Sequence, residues 1–469
     1  MKILNTNHWL MPLSLIFGLF TPSFGKTKPN ILLMMCDDMG WKDLSCFEND
    51  RVSTPSIDRL ATEGIKLTQF YAASAVCSPT RASVLTGKYP LRFDIGQHFS
   101  SGRGEYLPVT STLPGLLQQS GYTTIHIGKW HLGGLRKKDF AMRDQIPGPI
   151  QHGFHTYLSQ REEQPQRGRM LRDRNLYRDG GTCLVQDDKL IGKESPYFDK
   201  YLTDIFADEA IKQIKKFNAL NQPFFLNLWW LAPHTPYEPA PEPHWSQTAD
   251  EEISDDQHRF RSMVARMDYQ VGRILDTLDR LKIANNTLVI FLSDNGGAYE
   301  ANIAELKGGK TDLHEGGIRV PFLARWPGRI KVGSVSNEIG HSTDLLPTIC
   351  SAAEIPLPKN LKLDGINLLP LLQGERKQLE RNTVFWQLNL YKHLQRHYDK
   401  PKPYATEIAR RNHWKMLALN GKPVELFDIE EDIKEKNNLI HEHPDVVKSM
   451  KIELQDWLNQ PRQPYGRAE

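Results

Sequence analysis

The sequence has little of what marks several common classes of protein. Its 469 residues include only five cysteines, an odd number at irregular spacings, which argues against a disulfide framework. The net charge is only +3 and no basic run is present, so we expect no nucleic-acid binding. No segment reaches the roughly 20 consecutive apolar residues of a membrane-spanning helix, so we expect no stable membrane insertion. The length favours one large domain and one smaller domain.

The first 25 residues follow the order of a secretory signal. Lys2 precedes an apolar stretch over residues 9–20, and small residues before Lys26 suit cleavage. We therefore expect a signal peptide over residues 1–25 and a secreted or periplasmic mature protein. An uncleaved anchor is the alternative, because a single lysine makes a weak basic region.

The most informative stretch begins at Cys77 and continues as Ser-Pro-Thr-Arg. Proline suits the first turn of a helix, which places Cys77 at a helix N-terminus. The helix dipole and Arg81 would both favour negative charge there. The position thus suits an activated nucleophile or a bound anion, and a buried structural cysteine is the alternative.

Four short apolar runs, ending near residues 36, 127, 231 and 293, are typical of buried parallel strands. Polar residues follow each run, at the edge where such sheets place their sites. These residues are Asp37, Asp38, Lys129, His131, His234, Asp294 and Asn295. Three carboxylates and an amide suit a divalent metal, and the cationic side chains suit an anionic tetrahedral substrate. A glycine-rich stretch carries Lys310 but lacks the glycine spacing of a phosphate-binding loop.

Helical and strand patterns divide the chain near residue 375. Residues 26–375 are expected to form the catalytic domain, with 137–195 as a long surface excursion, and 376–469 a small domain of short strands and a terminal helix.

Several sequence blocks resemble the type I sulfatases. They are the Cys-x-Pro-x-Arg signature at Cys77 with its Leu-Thr-Gly, Asp37-Asp38, Gly-Lys-Trp-His-Leu-Gly, Ala-Pro-His-Thr-Pro, Ser-Asp-Asn-Gly-Gly, Gly-Lys-Thr-x-x-x-Glu-Gly-Gly-x-Arg-Val-Pro and the closing Glu-Leu-Phe-Asp. The resemblance implies an α/β fold: an alkaline-phosphatase-like domain with a large, mostly parallel sheet between helices. A small C-terminal α+β domain with an antiparallel sheet would follow it. Lys88 and Leu91 depart from common family residues and leave specificity open.

The same resemblance implies a sulfuric ester hydrolase in which a formylglycine-generating enzyme converts Cys77 to formylglycine. It assigns Arg81 to the formylglycine hydrate. One calcium ion, or magnesium, would be held by Asp37, Asp38, Asp294, Asn295 and the modified Cys77. The sulfate would be held by Lys129, His131, His234 and Lys310, with His131 near the nucleophile and His234 or Lys310 protonating the leaving oxygen.

The expected substrate is a sulfated polysaccharide or oligosaccharide, such as an algal galactan or a glycosaminoglycan. Arginine and aromatic side chains that would bind it by ion pairing and stacking are Arg161, Arg167, Arg169, Arg172, Arg174, Arg178, Trp386, Tyr391, His393, Arg396, His397, Tyr398, Arg410 and Arg411. A solvated loop is the alternative for the arginine-rich segment. Alternative functions are a phosphatase or phosphonate monoester hydrolase of the same superfamily, and a non-catalytic glycan-binding protein.

Overall fold

The structure, a computed structural model, describes residues 28–100, 103–162, 177–178, 181–192, 194–197, 200–390 and 405–467, of which 177–178 and 181–183 are described by their backbone only. The expected signal peptide therefore lies outside the described residues. So do Arg167, Arg169, Arg172 and Arg174 of the arginine-rich segment and 391–398 of the second domain.

A mixed sheet forms the centre of the larger domain. Its strands, in spatial order along the main path, are β12 (Ser334–Ser336), β2 (Ile65–Tyr71), β11 (Arg319–Arg325), β10 (Thr287–Ser293), β1 (Asn30–Cys36), β9 (Phe224–Trp229), β4 (Thr123–Gly128), β5 (Thr156–Gln160), β7 (Gly181–Gln186) and β6 (Tyr177–Arg178). Two short strands, β13 (Gly340–His341) and β8 (Lys189–Gly192), pair with β2 and β7. The five strands from β10 to β5 run parallel, and antiparallel strands extend both sides.

Alternate residues of β1 pack on opposite faces of the sheet. Ile31, Leu33 and Met35 belong to one apolar core, whereas Leu32 and Met34 belong to the other. Because both faces are covered, the strand can be apolar throughout, and all seven of its residues are buried.

Helices cover both faces. They are α1 (Pro55–Thr62), α2 (Cys77–Thr86), α3 (Leu113–Gln119), α4 (Leu202–Ala219), α5 (His244–Gln247), α6 (Asp255–Arg280), α7 (Glu315–Ile318), α8 (Leu345–Ala352) and α9 (Leu369–Leu372). The helices α2, α3 and α8 contribute to the core that contains Ile31, and α1, α4 and α6 to the other. Among the helices the structure describes, none has the length and apolar content needed to cross a membrane.

The C-terminal part forms a second sheet, with strands β14 (Val384–Gln387), β15 (Glu407–Arg411), β16 (Trp414–Leu419) and β17 (Lys422–Asp428), all antiparallel. Helix α10 (Pro444–Leu458) packs on this sheet, and β18 (Gly466–Arg467) pairs with β3 (Glu105–Tyr106) of the larger domain. The apolar core of the second sheet also includes Tyr71, Val76 and Leu313. The two parts of the chain therefore share a core, and the predicted fold class is confirmed.

Two regions differ from the sequence prediction. The segment predicted as a surface excursion contains β5, β7 and β8, which extend the main sheet because Leu158, Leu184 and Val185 are buried there. The strand β11 was not predicted, because it contains Pro321, which removes a backbone donor. The pairing register with β2 shifts at that proline, between Val320 and Phe322, so a bulge accommodates it.

Candidate active site

The candidate site lies at the carboxyl edge of the parallel strands. Asp37 and Asp38 directly follow β1, Lys129 follows β4, and Asp294 follows β10. The loop after β9 carries His234. Because these four strands are parallel neighbours, their ends meet at one edge, and the predicted polar residues come together there.

Cys77 is the first residue of α2, a helix in which all ten residues are buried. Its Sγ lies 3.4 Å from Asp37 Oδ1 and 3.5 Å from Lys129 Nζ. Burial and the nearby charges of Asp294 and Asp37 raise the pKa of the Cys77 thiol. In the unmodified protein burial and the surrounding carboxylates therefore disfavour a thiolate at Cys77, although the residue begins a helix.

The carboxylates of the site crowd together without access to solvent. Asn295 Nδ2 donates to Asp38 Oδ1 at 2.8 Å, and the Asp38 backbone N–H donates to Asp294 Oδ1 at 3.3 Å. Burial alone would raise the pKa of Asp37, but the positive charges of Lys129 and Arg81 hold it well below its ordinary value. Burial and the charge of Asp37 raise the pKa of Asp294 to about 6. The surroundings of Asp37 therefore favour its ionised form, whereas those of Asp294 disfavour it.

Cationic side chains approach these carboxylates from two directions. Arg81 Nη2 donates to Asp294 Oδ2 at 2.6 Å, and Lys129 Nζ lies 2.5 Å from Asp37 Oδ2. From the glycine-rich loop, Lys310 Nζ donates to Asp38 at 2.7 Å. The cations thus line the same space as the carboxylates, an arrangement that suits an anionic substrate.

His234 lies beside Lys310, with 3.3 Å between His234 Nε2 and Lys310 Nζ. Its Nδ1 is 2.5 Å from the carbonyl oxygen of Thr235, which only accepts hydrogen bonds, so Nδ1 carries the proton. Burial lowers the pKa of His234 despite the nearby charge of Asp38. The neutral ring therefore accepts a hydrogen bond from Lys310 through Nε2.

The donor set fits a hard divalent cation. Asp37, Asp38, Cys77 and His234 each have one ligand atom within 4.8 Å of the others. Within the described part of the chain, Asn295 Oδ1 is buried and has no hydrogen-bond partner. Such an amide oxygen, beside several carboxylate oxygens, is a ligand that calcium or magnesium accepts. Asp294 lies next to this group, although Arg81 engages one of its oxygens.

His131 has a less direct relation to the other predicted residues. Its Nε2 is 3.0 Å from the carbonyl oxygen of Phe99 and therefore donates. Burial, and then the charge of Lys129, hold the pKa of His131 well below its ordinary value. Its Nδ1 is buried without a hydrogen-bond partner among the described residues, and this atom is an unused acceptor. The backbone of His131 has a positive φ of 55°, which is uncommon for a residue other than glycine.

His98 also lies beside the site, although no sequence pattern predicted it. This residue lies between the 3-10 turn Pro90–Phe93 and β3, where no strand end or known motif marks it. Its ring centroid is 6.0 Å from that of His131. Nothing in a single sequence singles out such a residue, because only the fold brings its loop to the site.

Two residues predicted to bind glycan are in the core instead. Trp386 has 0% exposure and its indole N–H donates to the carbonyl oxygen of Ala72. Arg410 has 1% exposure and donates to Gln69 Oε1 at 3.0 Å. Both predictions were wrong, since an aromatic or an arginine in a short strand can face either side of the sheet.

The fold and the site together define a class of protein. A parallel sheet covered by helices on both faces carries crowded carboxylates beside a buried residue at a helix N-terminus, and the fold is the alkaline-phosphatase-like fold that the sequence predicted. In agreement, the phosphonate monoester hydrolase of Agrobacterium radiobacter has this fold, with a TM-score of 0.66 at 22% identity, over 92% of this chain and 95% of that one.

The particular family follows from sequence comparison. Residues 29–355 match the Sulfatase family, and residues 309–462 match the C-terminal region described as N-sulphoglucosamine sulphohydrolase. The chain belongs to the sulfatase family and is a sulfuric ester hydrolase.

Curated relatives and a solved structure agree. Canine N-acetylgalactosamine-6-sulfatase is 34% identical over 388 residues, covering 76% of this chain and 68% of the relative. The uncharacterized sulfatase YdeN of Escherichia coli K12 is 30% identical, with 96% and 90% coverage. The crystal structure of Ps i-CgsB in complex with k-i-k-neocarrahexaose superposes with a TM-score of 0.80 at 28% identity, covering 93% of this chain and 94% of that one.

Proposed function

We propose that this sulfatase removes sulfate from sulfated glycans, using a formylglycine made from Cys77 and a calcium ion. The observation that carries the proposal is the environment of Cys77. The residue begins a buried helix and lies within 3.5 Å of both a carboxylate and a lysine. Its raised thiol pKa makes cysteine itself a poor nucleophile at neutral pH. Conversion of Cys77 to formylglycine would explain why the nucleophile occupies a position that disfavours a thiolate.

The proposed chemistry needs a second hydroxyl at residue 77. A formylglycine hydrate supplies one hydroxyl to attack sulfur and another whose loss of a proton expels the sulfate. A serine or cysteine has no such second hydroxyl, so its sulfate adduct would persist. His131 Nδ1, a buried acceptor on a neutral ring, is the atom on which we place the proton during this step.

Lys129 is the residue best placed to hold a sulfate oxygen beside residue 77. Its Nζ reaches both Asp37 Oδ2, at 2.5 Å, and Cys77 Sγ, at 3.5 Å. Arg81 lies one helical turn after Cys77 and fixes Asp294 by two donated hydrogen bonds. The two cations thus offset negative charge on the transferring group, usually a large part of catalysis.

Of the two candidates, Lys310 and His234, we propose Lys310 as the proton donor to the leaving oxygen. The neutral His234 ring holds its proton on Nδ1, against the Thr235 carbonyl, so Nε2 has none to give. Lys310 carries donors and points at Asp38 and His234. We therefore assign proton donation to Lys310 and its orientation to His234.

The metal would be held by Asp37, Asp38, Asp294 and Asn295 together with residue 77. When bound, a divalent cation would neutralise the crowded carboxylates and polarise a sulfate oxygen. The orphaned amide oxygen of Asn295 supports this proposal, because a buried polar atom without a partner is costly.

The substrate class rests on similarity and on the cationic lining of the site. The Ps i-CgsB structure contains a neocarrahexaose, and canine N-acetylgalactosamine-6-sulfatase is named for a sulfated sugar. The partners we propose are thus a sulfated polysaccharide or oligosaccharide and, during maturation, a formylglycine-generating enzyme.

Mass spectrometry tests the modification and a panel of esters tests the substrate. Trypsin should release the peptide of residues 67–81, and we expect it to show loss of sulfur and gain of oxygen at Cys77. The modified protein should release sulfate from carrageenan or glycosaminoglycan fragments faster than phosphate from matched phosphate esters. An unmodified thiol in protein from the native host would contradict the formylglycine proposal. Faster release of phosphate would favour the phosphatase alternative.

A further inference from the structure

The loop that carries His98 is fixed to both the nucleophile helix and the sulfate-binding residues. The backbone N–H of Phe99 donates to Ser78 Oγ at 2.9 Å, and Ser78 directly follows Cys77. The carbonyl oxygen of the same Phe99 accepts from His131 Nε2 at 3.0 Å. Because both polar groups of this residue are engaged, the position of His98 beside the site is set by the site itself.

The His98 side chain lies beside the site. Its ring centroid lies 6.0 Å from that of His131, and it is within electrostatic reach of Lys310 and Lys129. The ring is half-buried, and in the described part of the chain no hydrogen bond involves either of its nitrogens. His131 and His234, by contrast, each engage a backbone carbonyl.

The charge state of His98 limits the kinds of chemical group that its ring can hydrogen-bond. Burial, followed by the charges of Lys310 and Lys129, lowers the pKa of His98 to about 3. The ring is therefore neutral at physiological pH and offers one donor and one acceptor. That pair matches a hydroxyl group, which also donates and accepts, and it is poorly suited to a second sulfate, which only accepts.

We propose that His98 is a specificity-determining residue that hydrogen-bonds a hydroxyl of the sugar carrying the sulfate ester. This inference rests on the proposed function and deepens it by naming how the sugar, as distinct from its sulfate, is recognised. An aryl sulfate has no hydroxyl to offer this residue. His98 therefore distinguishes saccharide from aryl substrates.

The test compares two probes on wild type and His98→Ala, with Cys77 modified in both. The probes are 4-nitrophenyl sulfate and the best substrate from a panel of sulfated mono- and disaccharides of carrageenan and chondroitin sulfate. Loss of one hydrogen bond should lower kcat/KM for the saccharide roughly tenfold more than for the aryl ester. His98→Gln, which keeps a donor and an acceptor, should restore part of that difference. The exposed His441 provides the matched control, and His441→Ala should change neither value.

Other outcomes overturn the inference. Equal losses on both probes would show that His98 acts on the sulfate or on the fold, and no selective loss would show that it does not bind the sugar. A wild type that cleaves the aryl ester but no saccharide would also overturn it. If the modified wild type releases sulfate from neither probe, the proposed function itself fails. Circular dichroism of His98→Gln separates misfolding from loss of recognition.

Discussion

Two clusters of buried charge arrange their carboxylates differently, although Lys310 of one and Glu315 of the other belong to the same glycine-rich stretch. The site cluster contains Asp37, Asp38, Asp294, Arg81, Lys129 and Lys310. The interface cluster lies between the two sheets and contains Glu315, Arg319, Lys415 and Glu435. Both are almost inaccessible to solvent, so a difference between them reflects arrangement and not exposure.

The interface cluster matches each charge with a partner. Lys415 Nζ lies 2.9 Å from Glu315 Oε1 and 2.8 Å from Glu435 Oε1. The other oxygen of Glu315 accepts from Tyr71 Oη at 2.8 Å and from Arg319 at 3.2 Å. Burial alone would raise the pKa of Glu315, yet Lys415 and Arg319 lower it to about 2. Burial does raise the pKa of Glu435, which Lys415 offsets only in part.

In the site cluster the carboxylates differ from one another, since Asp37 and Asp38 have lowered pKa values and Asp294 has a raised one. Asp294 has the Arg81 guanidinium at 2.6 Å, but burial and the neighbouring Asp37 raise its pKa to about 6. The clusters differ in how the carboxylates are placed: at the interface Lys415 lies between the two glutamates and within 3 Å of both. In the site the three carboxylates lie side by side and repel one another, and a bound cation would relieve that repulsion.

Replacing the nucleophile position should give the largest effect. We expect Cys77→Ala to lower sulfate release by at least about 10⁴-fold, because the chemistry passes through that residue. The melting temperature should change little, since the small side chain makes few polar contacts. Measured sulfate release and a thermal melt check this, with Cys46→Ala, at a half-buried cysteine away from the site, as the control. Residual activity near that of wild type would place the nucleophile elsewhere.

Removing one carboxylate from the site cluster should separate activity from stability. Asp294→Asn should lower kcat by roughly 10³-fold, since metal and cation stabilisation of the transition state is worth several kcal/mol. The metal-free variant should nonetheless be as stable as metal-free wild type, because repulsion with Asp37 is relieved. Melting curves with chelator and with added calcium test this, with exposed Asp445→Asn as the control. A marked loss of stability without metal would mean that both clusters are structural.

Removing a charge from the interface cluster should instead lower stability and leave activity nearly unchanged. Lys415→Met leaves two buried glutamates without their shared cation, which costs about 3–5 kcal/mol of stability. The melting temperature should fall, while kcat below the melting range should stay within a few-fold of wild type. The exposed Lys422 gives the control, Lys422→Met. A folded variant that lost activity would show that the interface cluster serves catalysis.

The sequence was most informative where local pattern and topology coincide. Apolar strands end in charged residues at 37, 129 and 294, and parallel pairing then requires those ends to meet. The fold class was predicted correctly in part for that reason, whereas the family was predicted from the resemblance of the Cys77 signature and the other motifs to type I sulfatases. The position of Cys77 at a helix N-terminus also follows from the local Ser-Pro pair.

The rest depends on contacts between distant residues. His98 reaches the site through a loop, and Trp386 faces the core because the second sheet packs on Ala72. The proline in β11 obscures its strand pattern in the sequence, and the segment forms a strand because it pairs with β10 and β2. The predicted metal and sulfate roles, like the domain boundary near residue 375, stay predictions.

The smallest expected effect lies at the edge of the interface cluster, where His314 joins the glycine-rich loop to the second sheet. Its Nδ1 is 2.6 Å from Asp312 Oδ1 and its Nε2 is 3.0 Å from Glu425 Oε2. Burial alone would lower the pKa of His314, but these hydrogen bonds raise it, and the bond to His314 helps to lower the pKa of Glu425 although burial opposes it.

The sign of the pH dependence follows from those two shifts. The histidine contribution is complete below its ordinary pKa of 6.5 and is lost as pH rises through its raised value. The glutamate contribution is complete above its ordinary value of 4.5 and is lost as pH falls through its lowered value. Wild type should therefore exceed His314→Gln in unfolding free energy most between pH 4.5 and 6.5, by on the order of 1 kcal/mol. Denaturant titrations across pH check this, with exposed His441→Gln as the control. A difference that grows above pH 8 would contradict this, because it would mean that the neutral His314 ring, and not the charged one, stabilises the loop that carries Lys310.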